Sequence, residues 1–417
     1  MERVYATYWI ETPLELPRAA ETLAGEQSSG TFVPVPGETE ELKQRFAARV
    51  ESVELLGEVA APSLPGAKRG SRYQQGRVVV SWSVENFGNN LPVLMSTLQG
   101  NLYELSQLSG LRLVDFEVPD SFANHFPGPR FGVSGTRAAI AAPDDRPMIG
   151  TIIKPSVGLS PDETAQWVRT LLDAGVDFVK DDELMGNPGH SPFDARVDAV
   201  VRVVHDYQER TGRGVMIAFN ISDEWDAMQR HYDKLVAVGG TCAMLSVNSI
   251  GLAGVKKICD HGELVVHGHR NGWGMLNRYP ALGTEFAAYQ KFWRLAGVDQ
   301  IHVNGIENKF WEPDDSVVRS IEACRKPLLN GKRILPVISS GQWGGQAPET
   351  FRRIGTVDLL YLAGGGIAAH PGGPAAGVRA IRAAWEGAVA GMTLEQIASQ
   401  SLEVREAVEK FGGAHCR

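Results

Sequence analysis

The second part of the chain alternates short apolar runs with amphipathic stretches at helical spacing. One of these stretches, 160–175, begins with Ser160 and Glu163 in capping-box spacing and ends at Gly175, which predicts a complete helix. Alternating strands and helices indicate parallel strands with right-handed crossovers, and eight such units over about 220 residues predict a (β/α)8 barrel. The predicted strands are 148–155, 176–183, 214–222, 241–249, 264–270, 300–305, 334–341 and 358–366.

The first part of the chain has a mixed pattern of α+β type. Residues 77–88 alternate like a strand, whereas 91–110 form a helical run with a Gly-Asn break. The Pro- and Gly-rich segment 126–132 is typical of a linker. The overall prediction is an α/β protein in which a smaller α+β N-terminal domain (1–130) precedes a C-terminal (β/α)8 TIM barrel with C-terminal helices (131–417).

Composition narrows the classes of function. The 417 residues are 43% hydrophobic and 22% charged, which is ordinary for a globular protein. A net charge of −8 argues against nucleic acid as a general partner. We expect no signal peptide and no membrane span, because the N-terminus lacks the basic and apolar regions and no apolar run reaches 18 residues. The four cysteines form no C-x-x-C pair, and a reducing cytoplasm is the expected setting.

Polar residues collect where the predicted strands end. In a TIM barrel the carboxyl ends of the strands carry the active site, so this distribution predicts an enzyme. The residues concerned are Lys154, Lys180 to Glu183, Asn220, Asn248, His269, Arg270, His302, Ser339, Ser340 and Gly364 to Gly366.

The stretch VDFVKDDE (176–183) raises the sharpest question. Lys180 and Asp182 share one face of the strand, and Glu183 follows where the strand gives way to a loop. Two carboxylates in this position suit a hard cation such as Mg²⁺, but an ammonium group beside them would repel it. The spacing alone is therefore consistent with two interpretations, a metal site and a solvated loop with an internal ion pair.

Two further motifs have competing interpretations. Glycines 364–366, with Gly341 after the preceding strand, favour a phosphate site built from backbone N–H groups, although a tight turn would also explain them. His269, Arg270 and His302 suit acid–base chemistry or anion binding, with zinc as the alternative. His267 shares a face with His269 and is equally consistent with a buried structural histidine.

Taken together and in this order, the motifs resemble the large subunit of ribulose-bisphosphate carboxylase (RuBisCO) over essentially the whole chain. The stretches that carry the resemblance are EQSSGTF (26–32), LQGNLY (98–103), GTIIKPSVGLS (150–160), GVDFVKDDE (175–183), HGHR (267–270), IHVNGIENK (301–309), PVISSG (336–341) and AGGGIAAHPGGPAAG (363–377).

The resemblance implies a role for Lys180, whose ammonium group would otherwise repel a cation. In that family the matching lysine reacts with CO₂, and the carbamate is an anionic oxygen ligand. Lys180, so modified, would bind Mg²⁺ together with Asp182 and Glu183. Lys154 matches a lysine that acts in proton transfer near the enediolate. Lys309 matches the lysine of a mobile loop that closes over substrate.

The resemblance also implies where the substrate binds. Gly341, Gly364 and Gly365, with Thr31 and Lys309, match one phosphate site. Arg270, His302 and Ser339 match a second, and His269 matches an active-site histidine. Glu26, Thr31 and Asn101 match residues contributed by a partner subunit, which implies a homodimer with shared sites and allows a higher oligomer.

Three departures from the family pattern argue against CO₂ fixation. Ser156 replaces the second lysine of the family's KPK, Glu307 and Asn308 precede Lys309 where the family has a glycine before its lysine, and Phe32 replaces a tryptophan. These changes indicate a RuBisCO-like protein that keeps the metal and enolisation machinery without carboxylase activity.

The retained Arg270, His302 and Ser339 favour a substrate with a phosphate at one end and a carboxylate or other polar oxygens at the other. The prediction is therefore a Mg²⁺-dependent enzyme acting on a phosphorylated keto-sugar or sugar acid, with decarboxylation of a 3-oxo-isoapionate 4-phosphate type of substrate favoured. The alternatives are an isomerase or enolase of methylthio-sugar phosphates, a non-catalytic sugar-phosphate-binding paralogue, and a Schiff-base aldolase that uses Lys154 as its nucleophile.

Overall fold

The computed structural model of the protein describes residues 2–29, 36–328 and 331–413. In chain order its strands are β1 (Arg3–Thr12), β2 (Arg49–Val59), β3 (Tyr73–Ser83), β4 (Gly110–Glu117), β5 (Met148–Ile152), β6 (Phe178–Lys180), β7 (Met216–Asn220), β8 (Cys242–Ser246), β9 (Val265–His269), β10 (Leu282–Thr284), β11 (Gln300–Asn304), β12 (Leu335–Ser339) and β13 (Leu360–Leu362).

The α-helices are α1 (Leu16–Glu26), α2 (Glu40–Phe46), α3 (Leu91–Leu98), α4 (Asp120–Ala123), α5 (Gly132–Ala138), α6 (Pro161–Asp173), α7 (Phe193–Thr211), α8 (Trp225–Ala237), α9 (Val247–Cys259), α10 (Trp273–Asn277), α11 (Phe286–Ala296), α12 (Asp314–Arg325), α13 (Ala347–Ile354), α14 (Gly364–Ala368), α15 (Gly373–Val389), α16 (Leu394–Gln400) and α17 (Leu402–Phe411). Short 3-10 helices span Val84–Asn86, Gly100–Glu104 and Gly344–Gln346.

The first of two compact units comprises residues 1–127 and 272–296. Its sheet has the order β10-β4-β1-β3-β2, antiparallel except where β10 joins β4. In β1 the alternate residues Val4, Ala6, Tyr8 and Ile10 are fully buried, as expected of a strand with one face on a core.

The division at residue 130 requires one correction, because residues 272–296 lie inside the predicted barrel domain but belong to the first unit. Strand β10 pairs in parallel with β4 in register Leu282 with Leu111, and the Phe292 ring of α11 packs on Phe116 with centroids 4.6 Å apart. A three-residue strand between two helices has no periodicity of its own, so the sequence pattern could not separate it from the barrel repeats.

The second unit, residues 128–271 and 297–417, is the barrel. Its eight parallel strands close in the order β11-β12-β13-β5-β6-β7-β8-β9, which confirms the predicted fold class and the eight predicted strands. Apolar side chains from alternate strand positions fill the interior, among them Phe178, Met216, Met244, Leu335 and Leu360. Helix α6 carries the predicted capping box at Ser160 and Glu163.

The barrel interior changes from apolar to polar along the strands. On β9 and β11 the inward positions are occupied by His267, His269, Gln300 and His302, and Gln300 pairs in register with His267. The Phe178 ring lies 5.2 Å from the His267 ring, which places this polar layer directly on the apolar core. The candidate site residues therefore stand on a buried base.

Candidate active site

Lys180 ends β6 and is almost completely buried, with 1% of its surface exposed. Its Nζ donates a hydrogen bond to the Asp181 carbonyl oxygen at 2.8 Å and lies 3.7 Å from Glu183 Oε2. Burial lowers the pKa of Lys180, because the interior disfavours the ammonium form. The lysine is therefore held in an environment that favours its neutral, nucleophilic amine.

The neighbouring acids point in different directions. Asp181 turns away and pairs with the buried Arg196 at 3.2 Å, while the Asn220 backbone N–H donates to it at 3.0 Å. Asp182 instead faces Lys154, whose Nζ lies 2.5 Å from Asp182 Oδ2. Burial alone would raise the pKa of Asp182, but the hydrogen bond from Lys154 lowers it overall. Asp182 is therefore held as a carboxylate, whereas Asp181 has a structural partner.

Lys154, Lys180, Asp182 and Glu183 form what we call the metal-side cluster. Lys154 follows β5, and its Nζ also donates to Ser156 Oγ at 2.6 Å. No group of three or more His, Cys, Asp and Glu side chains within residues 2–29, 36–328 and 331–413 is arranged to hold a metal ion. A metal site here would thus need Lys180 as a third ligand beside Asp182 and Glu183, and its amine supplies an anionic oxygen donor only as the carbamate.

Four side chains on β9, β11 and β12 form a hydrogen-bonded row that we call the histidine chain: Gln300, His267, His302 and Ser339. Gln300 Oε1 lies 2.8 Å from His267 Nδ1, and His267 Nε2 lies 2.8 Å from His302 Nε2. His302 Nδ1 in turn lies 3.1 Å from Ser339 Oγ. Both ring nitrogens of His267 are thus occupied by neighbours, which fits the structural interpretation of that residue.

His269 connects the histidine chain to the metal-side cluster. Its ring packs against the His302 ring with centroids 4.4 Å apart, and its Nε2 lies 3.6 Å from Glu183 Oε2. The Asn271 backbone N–H donates to His269 Nδ1 at 3.2 Å, so the proton of the neutral ring is on Nε2. Burial lowers the pKa of His267 and of His269 to about 3, and lowers the pKa of His302 well below its usual value.

Arg270 has a partner that the sequence pattern did not reveal. Its Nη2 lies 3.0 Å from Glu312 Oε2, and both side chains are buried, at 6% and 1% exposure. Asn304 Nδ2 donates to the same oxygen at 2.5 Å, and Ser316 Oγ donates to the other at 2.9 Å. Glu312 precedes α12 in a loop, where no periodicity identifies a buried acid.

The glycines after β12 and β13 differ in whether backbone conformation or packing requires a glycine at each position. Gly341 has φ of +85°, and a Cβ there would lie 3.3 Å from Lys309 Cβ. At Gly366 a Cβ would lie 2.6 Å from the Gln342 carbonyl oxygen, so packing demands glycine. At Gly365 nothing lies within 4 Å, and Gly364 has only Ile152 Cδ1 at 3.6 Å. Neither packing nor backbone conformation requires glycine at 364 and 365, so close approach of a ligand is the remaining reason for it.

The loop after β11 brings Lys309 against the next strand. The Lys309 backbone N–H donates to the Ser340 carbonyl oxygen at 3.1 Å, and its exposed side chain places Nζ 5.2 Å from the centre of the Phe310 ring. Asn308 Nδ2 donates to the carbonyl oxygens of Gly305 and Glu312, at 3.1 Å and 2.9 Å. The residue that replaces the family's glycine therefore cross-links this loop.

The N-terminal candidates lie in the first unit. Glu26 is the last residue of α1, and the exposed Asn101 belongs to the 3-10 helix Gly100–Glu104. Thr31 and Phe32 lie outside the described residues. Among the described helices, none combines the length and the apolar character that crossing a membrane requires.

Comparison with known proteins covers both units. Residues 132–411 match the model of the ribulose bisphosphate carboxylase large chain, catalytic domain, and residues 4–122 match that of its N-terminal domain. A protein of Xanthobacter autotrophicus named 3-oxo-isoapionate-4-phosphate transcarboxylase/hydrolase is 54% identical, covering 98% of this chain and 99% of that one. A protein of Rhizobium etli named 3-oxo-isoapionate-4-phosphate decarboxylase is 47% identical over 97% and 98%.

A solved structure gives the same picture. The crystal structure of a rubisco-like protein from Burkholderia fungorum has a TM-score of 0.93 and 45% sequence identity, covering 99% of this chain and 100% of that one. The similarity therefore extends through the N-terminal unit and the barrel alike.

Proposed function

The chain belongs to the ribulose bisphosphate carboxylase large chain family, and on that premise we propose that it is a RuBisCO-like decarboxylase of a 3-oxo sugar-acid phosphate of the 3-oxo-isoapionate 4-phosphate type. The observation that carries the proposal is the sequence identity of 47%, over nearly the full length, to a relative named for that decarboxylation. The barrel site supplies a chemical rationale, because it places a lysine–carboxylate cluster beside glycines that leave room for a phosphate.

Lys180, Asp182 and Glu183 would hold Mg²⁺, with Lys180 as the CO₂ carbamate. The fit rests on the burial of Lys180, its proximity to Glu183 and the ion pair that holds Asp182 as a carboxylate beside Lys154. When bound, the cation would supply positive charge that stabilises the enolate oxygen of the substrate.

Loss of CO₂ from a 3-oxo acid is a balanced step that needs no redox partner. The bond between the carboxyl carbon and its neighbour breaks, CO₂ leaves, and the electron pair remains as an enolate of the 3-oxo group. A proton must then return to the carbon that lost CO₂. Lys154 is placed to deliver it from Nζ, because it stands at the end of β5 and is held by Asp182 and Ser156.

The phosphate would bind at Gly341, Gly364 and Gly365 with Lys309. Gly364 follows β13, whose neighbour in the barrel is β5, and the Ala363 backbone N–H donates to the Gly150 carbonyl oxygen at 3.0 Å. A phosphate at these glycines would therefore sit beside the strand that leads to Lys154. Lys309 would supply positive charge to the phosphate, and its loop would close over the substrate.

A second candidate activity deserves a test because the 54% identical relative is named a transcarboxylase/hydrolase. The two activities differ in where the carboxyl carbon ends. Substrate labelled with ¹³C in the carboxyl group would release the label as CO₂ and bicarbonate if the enzyme is a decarboxylase. Recovery of the label in an organic acid would instead indicate carboxyl transfer, and recovery of unchanged substrate would exclude both activities.

We also propose a cytoplasmic homodimer in which Glu26, Thr31 and Asn101 of one subunit serve the barrel site of the other, an arrangement that also allows a larger oligomer. The basis is the family resemblance of these three positions, and the buried thiols of Cys242 and Cys259, which form no disulfide within the described residues, suit a reducing compartment. Mixing an inactive Lys180→Ala chain with an inactive Asn101→Asp chain tests shared sites, since hybrid dimers would regain part of the activity.

A further inference from the structure

At the end of the site formed by Arg270, His302, Ser339 and Ser340, each of these side chains has a partner within the barrel unit. By resemblance to the RuBisCO large subunit, Arg270, His302 and Ser339 match a second phosphate site. A phosphate needs donors and positive charge. The orientation of each proton at this end therefore decides which substrate group fits there.

The histidine chain has one consistent proton order. Gln300 Nε2 lies 3.3 Å from Met216 Sδ and 3.5 Å from Thr136 Oγ1, and a thioether can only accept, so the amide N–H₂ faces it. Gln300 Oε1 then accepts from His267 Nδ1, which leaves His267 Nε2 as an acceptor. Since His302 Nε2 lies 2.8 Å away, the His302 proton must be on that nitrogen.

The order continues to the surface of the site. His302 Nδ1 carries no proton and accepts from the Ser339 hydroxyl at 3.1 Å, with the Val303 carbonyl oxygen at 3.3 Å as the alternative acceptor. The Ser340 hydroxyl donates to Asn304 Oδ1 at 2.7 Å. Each serine has one proton and directs it inward, so both hydroxyls offer lone pairs toward a ligand.

The positive charge at this end is also matched internally. Arg270 pairs with Glu312, and the two oxygens of Glu312 are further occupied by Asn304 and Ser316. A buried pair of this kind is neutral as a unit, and breaking it to bind a dianion would leave an unpaired buried carboxylate.

From these contacts we infer that this end recognises neutral hydroxyl groups of the substrate and rejects a second phosphate. The substrate class is a monophosphate whose far end carries free hydroxyls, with its carboxylate lost at the metal-side cluster. This inference rests on the proposed function for the position of the reacting carbon, and it specifies the group at the opposite end.

The direct test compares two ligands on the unmodified protein. Calorimetry with Mg²⁺ and bicarbonate present would measure the binding of erythritol 4-phosphate and of erythritol 1,4-bisphosphate. We expect the monophosphate to bind at least about tenfold more tightly, the scale of one or two hydrogen bonds to charged groups. Equal or tighter binding of the bisphosphate would overturn the inference.

A variant isolates the cause of the selectivity. Glu312→Gln removes the charge that neutralises Arg270, and should strengthen bisphosphate binding roughly tenfold while changing monophosphate binding less than about threefold. Glu349→Gln is the control, because that carboxylate pairs with Arg352 and Arg353 on α13. An equal change for both ligands in Glu312→Gln would contradict the assignment.

Failure of this inference and failure of the proposed function are distinguishable. A protein that prefers the monophosphate but releases no CO₂ from any 3-oxo sugar-acid phosphate would refute only the decarboxylase proposal. A protein that releases CO₂ and binds the bisphosphate more tightly would refute only the hydroxyl subsite. If Glu312→Gln does not fold, the two-ligand comparison on the unmodified protein still decides.

Discussion

The metal-side cluster and the histidine chain lie on neighbouring parts of one barrel mouth, yet they treat charge in opposite ways. The metal-side cluster brings charged groups close together, with Lys154 Nζ 2.5 Å from Asp182 Oδ2. The histidine chain instead passes neutral hydrogen bonds from Gln300 to Ser339. Charge is concentrated at the end where the proposed reaction creates an enolate, whereas at the other end the charges of Arg270 and Glu312 balance each other.

The comparison also shows two ways of keeping polar groups inside a barrel. Lys180 is buried with its pKa lowered, an environment that favours chemical modification or metal binding. His267 is buried with both ring nitrogens hydrogen-bonded, an arrangement that is complete as it stands. The proposed role of Lys180 depends on its amine being modified, whereas both ring nitrogens of His267 already have partners.

The largest expected effect tests whether activity depends on Lys180 of the metal-side cluster. Lys180→Ala should lower CO₂ release by more than about a thousandfold and abolish dependence on Mg²⁺ and bicarbonate, because the carbamate ligand cannot form. Lys256→Ala, which removes a surface lysine paired with Asp260 on α9, should leave the rate unchanged. Undiminished turnover in Lys180→Ala would remove the carbamate assignment.

The second prediction separates the two lysines of the metal-side cluster. Lys154→Met should lower CO₂ release by roughly a hundredfold, the scale of a lost general acid. Binding of Mn²⁺, followed by its electron paramagnetic resonance, should not weaken, because Asp182 loses a competitor for its Oδ2 atom. Ser156→Ala, which keeps the Lys154–Asp182 pair, is the matched control. Weaker Mn²⁺ binding in Lys154→Met would mean that Lys154 supports the site structurally.

Acid should lower the free energy of unfolding, because the buried His267 resists protonation in the folded protein. The folded protein holds His267 with a pKa of about 3, below its unfolded value of about 6.5. Between these values the unfolded chain binds the proton and the folded chain does not, so stability is full above pH 6.5 and falls as the pH falls. At pH 5 the loss should be about 2 kcal/mol from this histidine.

Urea unfolding at pH 7 and pH 5 would measure that loss. His267→Met should reduce the dependence of stability on pH, whereas the control His205→Gln, at an exposed position on α7, should not. An unchanged pH dependence in His267→Met would indicate that the histidine chain takes up a proton in the folded state.

The smallest expected effect tests whether Gly365 belongs to the proposed phosphate site. Gly365→Ala should weaken binding of erythritol 4-phosphate roughly tenfold, because the added methyl group would occupy the space proposed for the phosphate. The melting temperature should not change, because no protein atom lies within 4 Å of a Cβ at this position. Gly366→Ala should instead lower the melting temperature, since its Cβ would lie 2.6 Å from the Gln342 carbonyl oxygen. Wild-type affinity in Gly365→Ala would exclude phosphate at this glycine.

Much of the architecture could be predicted because its causes are local. Each barrel strand is a short apolar run bounded by a helix start, and alternation along the strand predicts that Lys180 and Asp182 share a face. The segment 272–296 escaped prediction because its strand is three residues long and is defined by pairing with β4. Glu312 escaped because its partner Arg270 is 42 residues away and no periodicity connects them.

The sequence by itself determined the barrel, the candidate lysine and acids, and the family resemblance, since apolar spacing and motif order are properties of the chain. Only the tertiary structure decided how these groups are paired. Asp181 turns to Arg196 while Asp182 turns to Lys154, and Arg270 meets Glu312. Charge and proton order depend on distances between atoms far apart in the chain. Those distances decide which end of the site carries charge and which remains neutral.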